Sequence, residues 1–534
     1  MFAFSDNNEN EKSSEGKTFR GRLKIFLENI TVHCYRNLVE EDRSPWERFL
    51  WFLVHVFAGA CSITIILESW NGFNEAPLMT KLHNTLYPSS LIYFPGVSIC
   101  NVNRISRRAA YRFAEELSRK SKDTSKSTDY YMKEILNLAA LYTFEFDDEN
   151  DMISFQRDLD DVYENQTFNI MNEIMIRLTP RCEDMMLRCF WQSKEYKCID
   201  GKKFFERRRT QYGHCCVFNY VIRPNNMLDV PRNSTYTGPD MGLILLVLGQ
   251  PNDYYYQQHS RVGFNVLIHN PYDYPDAPSG GVVQIPAMLG RETFIRVDAN
   301  RIDADPFIVN YSPETRKCLF DADYHKMSTK FGGTYSRSQC MVYCRMKSVM
   351  ALCDCVLFNM PIDIFFNDNG TSLQICNLNH VACLNKYKIK WLTVSTEILN
   401  VKGLEREREE SLLCSECLPS CLDTKYVASS NSLPLSEINR KGSNIMETVK
   451  NKSQYALIRV FFGQPENWQY LQTVQLSWFE IISNFGGIFG ILLGFSMLSA
   501  TEIVYFIVRE IFFWLQNKWQ ERKLDTEEGL VIQP

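Results

Sequence analysis

Apolar and polar positions divide the chain into a polar start, two charge-free runs, a long mixed segment between them and a short polar end. Phe49–Leu67 runs 19 residues between Arg48 and Glu68, and Ile481–Thr501 runs 21 between Glu480 and Glu502, with apolar character resuming through Val508. Each is long enough, as a helix, to cross a hydrocarbon core of ~30 Å. Their length and their Trp- and Phe-rich ends argue against core helices of a soluble domain. Residues 1–48 carry a mildly amphipathic patch at Leu23–Leu38, and the first 20 hold no apolar stretch of the kind that marks a cleavable leader.

Between the two runs, Leu91–Arg104 (LIYFPGVSICNVNR) predicts a strand leading into Cys100. Spaced apolar residues predict helices over Arg108–Arg119 and Tyr130–Leu141, whereas the acidic Glu145–Glu164 reads as a solvated surface loop. From Met241 to Val297, GLILLVLG, GFNVLIHN, GGVVQIP and TFIRVDA predict successive strands separated by Pro, Gly and Asn. Ala456–Phe462 is expected to be the last strand before the second run. No internal repeat interrupts this order.

Charge orients the picture. Arg36, Arg43 and Arg48, then Arg509, Lys518, Arg522 and Lys523, outnumber Lys81 and Arg459 just inside the loop. Both termini are therefore expected in the cytosol and the central segment outside. Of 18 cysteines only Cys34 and Cys61 lie beyond that segment, and ten of its 16 crowd Cys318–Cys421. An even number in a translocated segment reads as a disulfide framework whose connectivity spacing does not fix. CDC (353–355) and CSEC (414–417) approach zinc-ligand spacing, but outside the cell and without clustered histidines they read as disulfides, with no metal and no cofactor expected. Five sequons, at Asn165, Asn233, Asn310, Asn369 and Asn451, fall in the same segment. The net charge of −5 gives no hint of nucleic-acid binding, and no nucleophile elbow, phosphate-binding loop or HExxH appears, so an enzyme is not expected.

The second run holds the chemistry. Gly486, Gly490 and Gly494 recur every four residues, with Gly487 beside them, a spacing that lets helix backbones approach closely. Tight helix pairing explains these glycines but not Ser496, Ser499, Thr501 and Glu502. Intramembrane acids mark ion pathways, and cation filters are built from carbonyls, hydroxyls and carboxylates. Glycine also lets the chain leave helical geometry, which is tolerated at this depth only in a cavity or inside protein. One such helix cannot enclose a pore, so assembly around an axis is implied.

On these residues the chain resembles the degenerin/epithelial sodium channel superfamily. FPGVSICNVN (94–103), YSRSQCMVYCRMKSVMALCDC (335–355), CLPSC (417–421) and SNFGGIFGILLGFSMLSATEIVYF (483–506) are similar to that family's segments, and GHCCVFN (213–219) and GFSMLS look closest to the insect pickpocket branch. The likeness covers the chain from about residue 30. It implies a trimeric fold like that of acid-sensing and epithelial sodium channels: two transmembrane helices and a large disulfide-rich α+β extracellular domain. The corresponding divisions are 1–48 cytosolic, 49–68 first span, 69–479 extracellular, 480–508 second span with the filter, and 509–534 cytosolic tail.

The resemblance further implies a sodium channel subunit in a homo- or hetero-trimer with related subunits, set in membrane lipid and blocked by amiloride-type compounds. Gly494, Phe495 and Ser496 would form the selectivity filter, Glu502 an acidic ring, and Ser483 the degenerin site, where bulky residues hold the pore open. His33-Cys34 matches a His-Gly gating motif, with a cysteine where the family has glycine, a change expected to remove access to positive φ. It also implies the pairs Cys100–Cys215, Cys189–Cys198, Cys318–Cys421, Cys340–Cys417, Cys344–Cys414, Cys353–Cys383 and Cys355–Cys376; the remaining Cys182 and Cys216 are assigned to each other. A non-conducting or modulatory subunit, a surface receptor of the same topology and an ATP-gated-type channel are the alternatives, and no residue identifies the stimulus.

Overall fold

The computed structural model describes residues 19–528, apart from 41, 76, 164–166, 200–203, 222–229, 324–333, 363–373, 397–401, 436–444, 447–448 and 450. The chain forms two compact units, residues 80–473 and residues 1–79 with 474–534.

The central unit is built on two sheets. Arg291–Ala304 organises the larger one. It pairs in parallel with Tyr455–Phe462 and Glu466–Val474 and antiparallel with Asp423–Pro434. From Tyr455–Phe462 the sheet continues through Leu243–Leu248 to Met186–Trp191 and Lys194–Tyr196, and Leu78–Pro88 closes the other edge. The five-stranded sheet runs Val282–Met288, Gly263–His269, Gly96–Asn101, Gly213–Phe218 and Phe205–Thr210. Phe94, Ile99, Leu245, Val266, Ile295 and Phe462 meet in one core, which explains why Leu243–Leu248 reads as an unbroken apolar run: both its faces are covered.

A helical group covers a second core. Arg107–Lys120, Thr128–Ile135 and Glu149–Val162 bury Phe113, Leu117, Tyr131, Ile135, Phe155 and Leu159. The solvated loop expected over Glu145–Glu164 is therefore corrected. Met152, Phe155, Gln156 and Leu159 fall three and four residues apart, on the buried face of a helix capped by Asp148. The charge that suggested a loop occupies the opposite face. A second correction concerns the end of the unit: Glu466–Val474 follows Tyr455–Phe462, so the latter is not the last strand.

The third core surrounds the helices Arg337–Cys353 and Val381–Leu392. The described residues contain the disulfides Cys100–Cys215, Cys182–Cys216, Cys189–Cys198, Cys318–Cys421, Cys340–Cys417, Cys344–Cys414, Cys353–Cys383 and Cys355–Cys376. Five of these pin this helical pair and its flanks, where the apolar side chains are interrupted by loops.

Two buried titratable groups in the central unit oppose one another. Burial pushes the Asp273 carboxyl up from 3.8 to about 7, against a hydrogen bond from Ser336. Burial holds the His269 imidazole down from 6.5 to about 4, with Nε2 3.0 Å from Ser98 Oγ. Between about pH 4 and 7 the folded chain keeps the Asp273 proton that the unfolded chain releases, so this group lowers stability as pH rises. His269 lowers stability as pH falls from 6.5 toward 4, because only the unfolded chain takes up the proton there. Asp273→Asn is expected to raise the melting temperature at pH 7.5 more than at pH 4.5; an equal shift at both pH values would contradict the buried, protonated carboxyl.

Candidate functional site: a broken helix and the N-terminal strap

In the other unit, Pro45–Glu75 is a single helix of 31 residues, about 46 Å long at 1.5 Å per residue. It outruns the span expected at 49–68 at both ends. Phe49, Leu50, Phe57 and Ile63 are all exposed within the chain, and Ser62 is its one buried residue. A helix whose large apolar side chains stand exposed along most of its surface is suited to lipid.

The second apolar run is two helices. Trp478–Leu493 begins with a Ser477–Glu480 capping box and ends at Gly494; Met497–Glu528 begins after Ser496, and the two axes differ by 81°. Gly494 adopts φ +63°, and its N–H donates to the Gly490 carbonyl at 3.0 Å, the left-handed stop that glycine adopts without a Cβ penalty. Two residues on, the Ser499 N–H donates to Ser496 Oγ at 3.2 Å, so Ser496 acts as an N-cap for the next helix. Gly494 thus does not continue the face shared by Gly486 and Gly490. Gly-Phe-Ser is a stop, a link and a start, with the Phe495 ring edge-on to Phe489 at 6.2 Å.

The N-terminal segment of the same unit closes on this break. The helix Phe19–Asn29 lies along Met497–Glu528. Arg22 Nε reaches both Glu510 oxygens at 2.9 and 3.0 Å, and Phe26 stacks on Phe506 at 4.2 Å. Thr31 follows. Its N–H and its hydroxyl each lie 3.0 Å from Glu502 Oε2, and the hydroxyl also lies 2.9 Å from Ser499 Oγ. The hydroxyl has one proton, so when it donates to the carboxylate it accepts from Ser499. His33 is packed so closely on Gly494 that any Cβ there would overlap its ring. The His33 carbonyl is 3.2 Å from His55 Nε2 of the first long helix, whose Nδ1 is 2.7 Å from the Trp51 carbonyl. A neutral imidazole donates to only one of those carbonyls at a time.

Residues named separately from the sequence are thereby brought together: His33, Gly494, Ser496 and Glu502 form one cluster. Ser483 sits apart on an exposed face of Trp478–Leu493, where Gly486 and Gly487 also face open space. Cys34 corrects an expectation. It holds φ +63°, so loss of glycine has not removed the left-handed conformation; the cysteine adopts it at a strain of ~1–2 kcal/mol. Cys34 and Cys61 carry the free thiols. Thr31 and Ser499 complete the cluster and were not singled out by sequence reasoning for these contacts. A serine three residues before another, just past a glycine, is the cap signal that points to Ser499. Of the sequons, Asn233, Asn310 and Asn451 are exposed, while Asn165 and Asn369 lie outside the described residues.

A disulfide-stapled α+β body, together with an apolar helix and a helix pair broken at a Gly-x-Ser hinge, defines a membrane protein with a large cysteine-rich domain. The chain belongs to the amiloride-sensitive sodium channel family, whose sequence profile matches residues 26–506. It is a family of ion channels and not of enzymes, and its members are plasma-membrane proteins with an extracellular disulfide-rich domain. Among its relatives, Pickpocket protein 28 of Drosophila melanogaster is 25% identical over 94% of this chain and 80% of its own length. Pickpocket protein 19 of the same organism is 22% identical over 92% of this chain and 91% of its own. Acid-sensing ion channel 1C of Danio rerio is 22% identical over 64% and 59%. Within the superfamily the chain falls with the insect pickpocket branch.

Proposed function

We propose that the chain is a subunit of a trimeric, amiloride-sensitive-type sodium channel, with both termini cytosolic and the central unit outside the cell. The observation that carries this reading is the break at Gly494-Phe495-Ser496. The C-terminal end of a helix carries partial negative charge on carbonyls that lack intrahelical partners. Broken helices at membrane depth use such ends to coordinate cations. Three copies of the break around an axis would give a ring of carbonyls and hydroxyls, with Glu502 as the acidic ring beyond it. The exposed glycine face at Gly486 and Gly487 supports close approach of a neighbouring subunit, identical or related. Amiloride-type blockers would act near Ser483, and sugar would be carried at the exposed sequons.

The test is Ser483→Val. Ser483 is exposed on its own protomer, so a bulkier side chain there should act at the subunit junction. In cells with confirmed surface protein, and with any required partner subunit, the substitution should produce a standing inward sodium current. Surface protein with no added leak would count against both the degenerin site and the pore it implies.

A further inference from the structure

The apolar run Phe49–Leu67 holds one residue able to carry a positive charge, His55. An ionisable group placed in such a run is costly and points to a role beyond anchoring. Both ring nitrogens of His55 meet carbonyl oxygens. Nδ1 lies 2.7 Å from the Trp51 carbonyl, one turn back on the same helix, and Nε2 lies 3.2 Å from the His33 carbonyl of the strap. The strap also holds the ring by its face, since Tyr35 stands edge-on to it at 4.7 Å.

Two acceptors facing one ring set a condition on its proton count. A neutral imidazole has a single N–H, so in either tautomer the other nitrogen turns a lone pair toward a carbonyl oxygen. The imidazolium has an N–H on each nitrogen and donates to both carbonyls at once, through charge-assisted bonds that are stronger than neutral ones. Histidine is the side chain whose charge ordinarily changes between about pH 5 and 8, so this condition falls in the physiological range.

The charges around the ring are engaged elsewhere. On the turn after the strap, Glu40 pairs with Arg36 at 3.1 Å and with Arg43 at 3.0 Å, Arg43 also pairs with Glu47, and Asp42 is exposed. Arg48 stands two turns back along the helix of His55. Trp478–Leu493, packed on that helix, has Glu480 as its one ionisable residue, bound in the capping box at its start. Glu502 is taken up by Thr31. We propose that His55 is the positioning residue of the strap, a latch that grips the His33 carbonyl more firmly when the ring carries its second proton. The gripped residue is the one whose ring lies on Gly494, so the latch holds the strap against the break. That the proton comes from the cytosol rests on the topology proposed above; the latch itself does not.

The experiment is hydrogen–deuterium exchange of the full chain in lipid nanodiscs at pH 5.5 and 7.5, read on peptides covering residues 31–39 and corrected for the intrinsic pH dependence of exchange. Protection is expected to be about fivefold higher at pH 5.5, the order that one gained charge-assisted hydrogen bond supports. Six of the eight histidines lie between residues 80 and 473, which leaves His33 as the other imidazole near the strap. His33→Ala removes that imidazole and keeps the carbonyl, so the pH ratio should persist. His55→Phe keeps a ring against Tyr35 and removes both donors, so the ratio should fall to one, while unchanged exchange across residues 56–64 shows that the helix is intact. A ratio of one in the unaltered chain, its loss in His33→Ala, or its persistence in His55→Phe would each overturn the proposal. The measurement needs no current, so its failure leaves the channel reading untouched, and the converse holds as well.

Discussion

Gly494→Ala is expected to abolish sodium current per surface channel while leaving the disulfide-stapled unit folded. Two penalties act at one atom. A φ of +63° costs an L-residue ~1–2 kcal/mol, and the new methyl group overlaps the His33 imidazole. Overpacking of that kind typically costs about 1–3 kcal/mol. Together they amount to roughly 2–5 kcal/mol against the observed arrangement, more than tenfold and up to several thousandfold in a conformational equilibrium. His33→Ala in the same chain removes the overlap but not the φ strain, so the double variant should recover part of the current. Full current in Gly494→Ala, with normal sodium-to-potassium selectivity, would show that the strap does not sit against the break in the working channel.

The second large effect is expected at Thr31. Thr31→Val keeps the side-chain shape and the backbone N–H but removes the hydroxyl shared by Glu502 and Ser499. A hydrogen bond to a charged group contributes about 1.5–3 kcal/mol. If the strap closes the cytosolic end through this contact, Thr31→Val and Glu502→Gln should each shift the closed-to-open ratio in single-channel records. The double variant should shift it by less than the sum of the two single shifts, because Thr31→Val removes a hydrogen bond that Glu502→Gln has already stripped of its charged acceptor. Strictly additive shifts would mean that Thr31 and Glu502 act independently. Surface labelling accompanies each variant, to separate gating from expression.

How far the sequence carries these predictions depends on the kind of signal. Buried strands such as Leu243–Leu248 and Gly263–His269 are covered on both faces and read directly as apolar runs. Leu78–Pro88 and Glu466–Val474 were missed because their side chains are largely half-buried or exposed, and neither shows a clean alternation. In Glu149–Val162 the acidic residues mask the helical spacing of Met152, Phe155 and Leu159, which is the signal that decides its structure. At the site, the break itself was legible: a glycine followed by a serine cap is a helix stop and start, whatever the ion chemistry. The closing of Thr31 onto Glu502 was not, because it joins groups 471 residues apart in the chain and no local period encodes it. The positive φ at Cys34 was hidden for a different reason, since a residue type states a preference for backbone conformation and tertiary packing overrides it.

The central claim is that this chain contributes a cation-selective pathway lined at Gly494-Phe495-Ser496. The most direct measurement is recording from cells expressing the chain, alone and with related subunits, under sodium-to-potassium substitution with and without amiloride, comparing the unaltered chain with Ser496→Ala. The account predicts an amiloride-blocked current whose reversal potential follows sodium, and a loss of sodium preference in Ser496→Ala at equal surface density. A current whose reversal potential is unmoved by Ser496→Ala, or surface protein that conducts in no subunit combination, would contradict it.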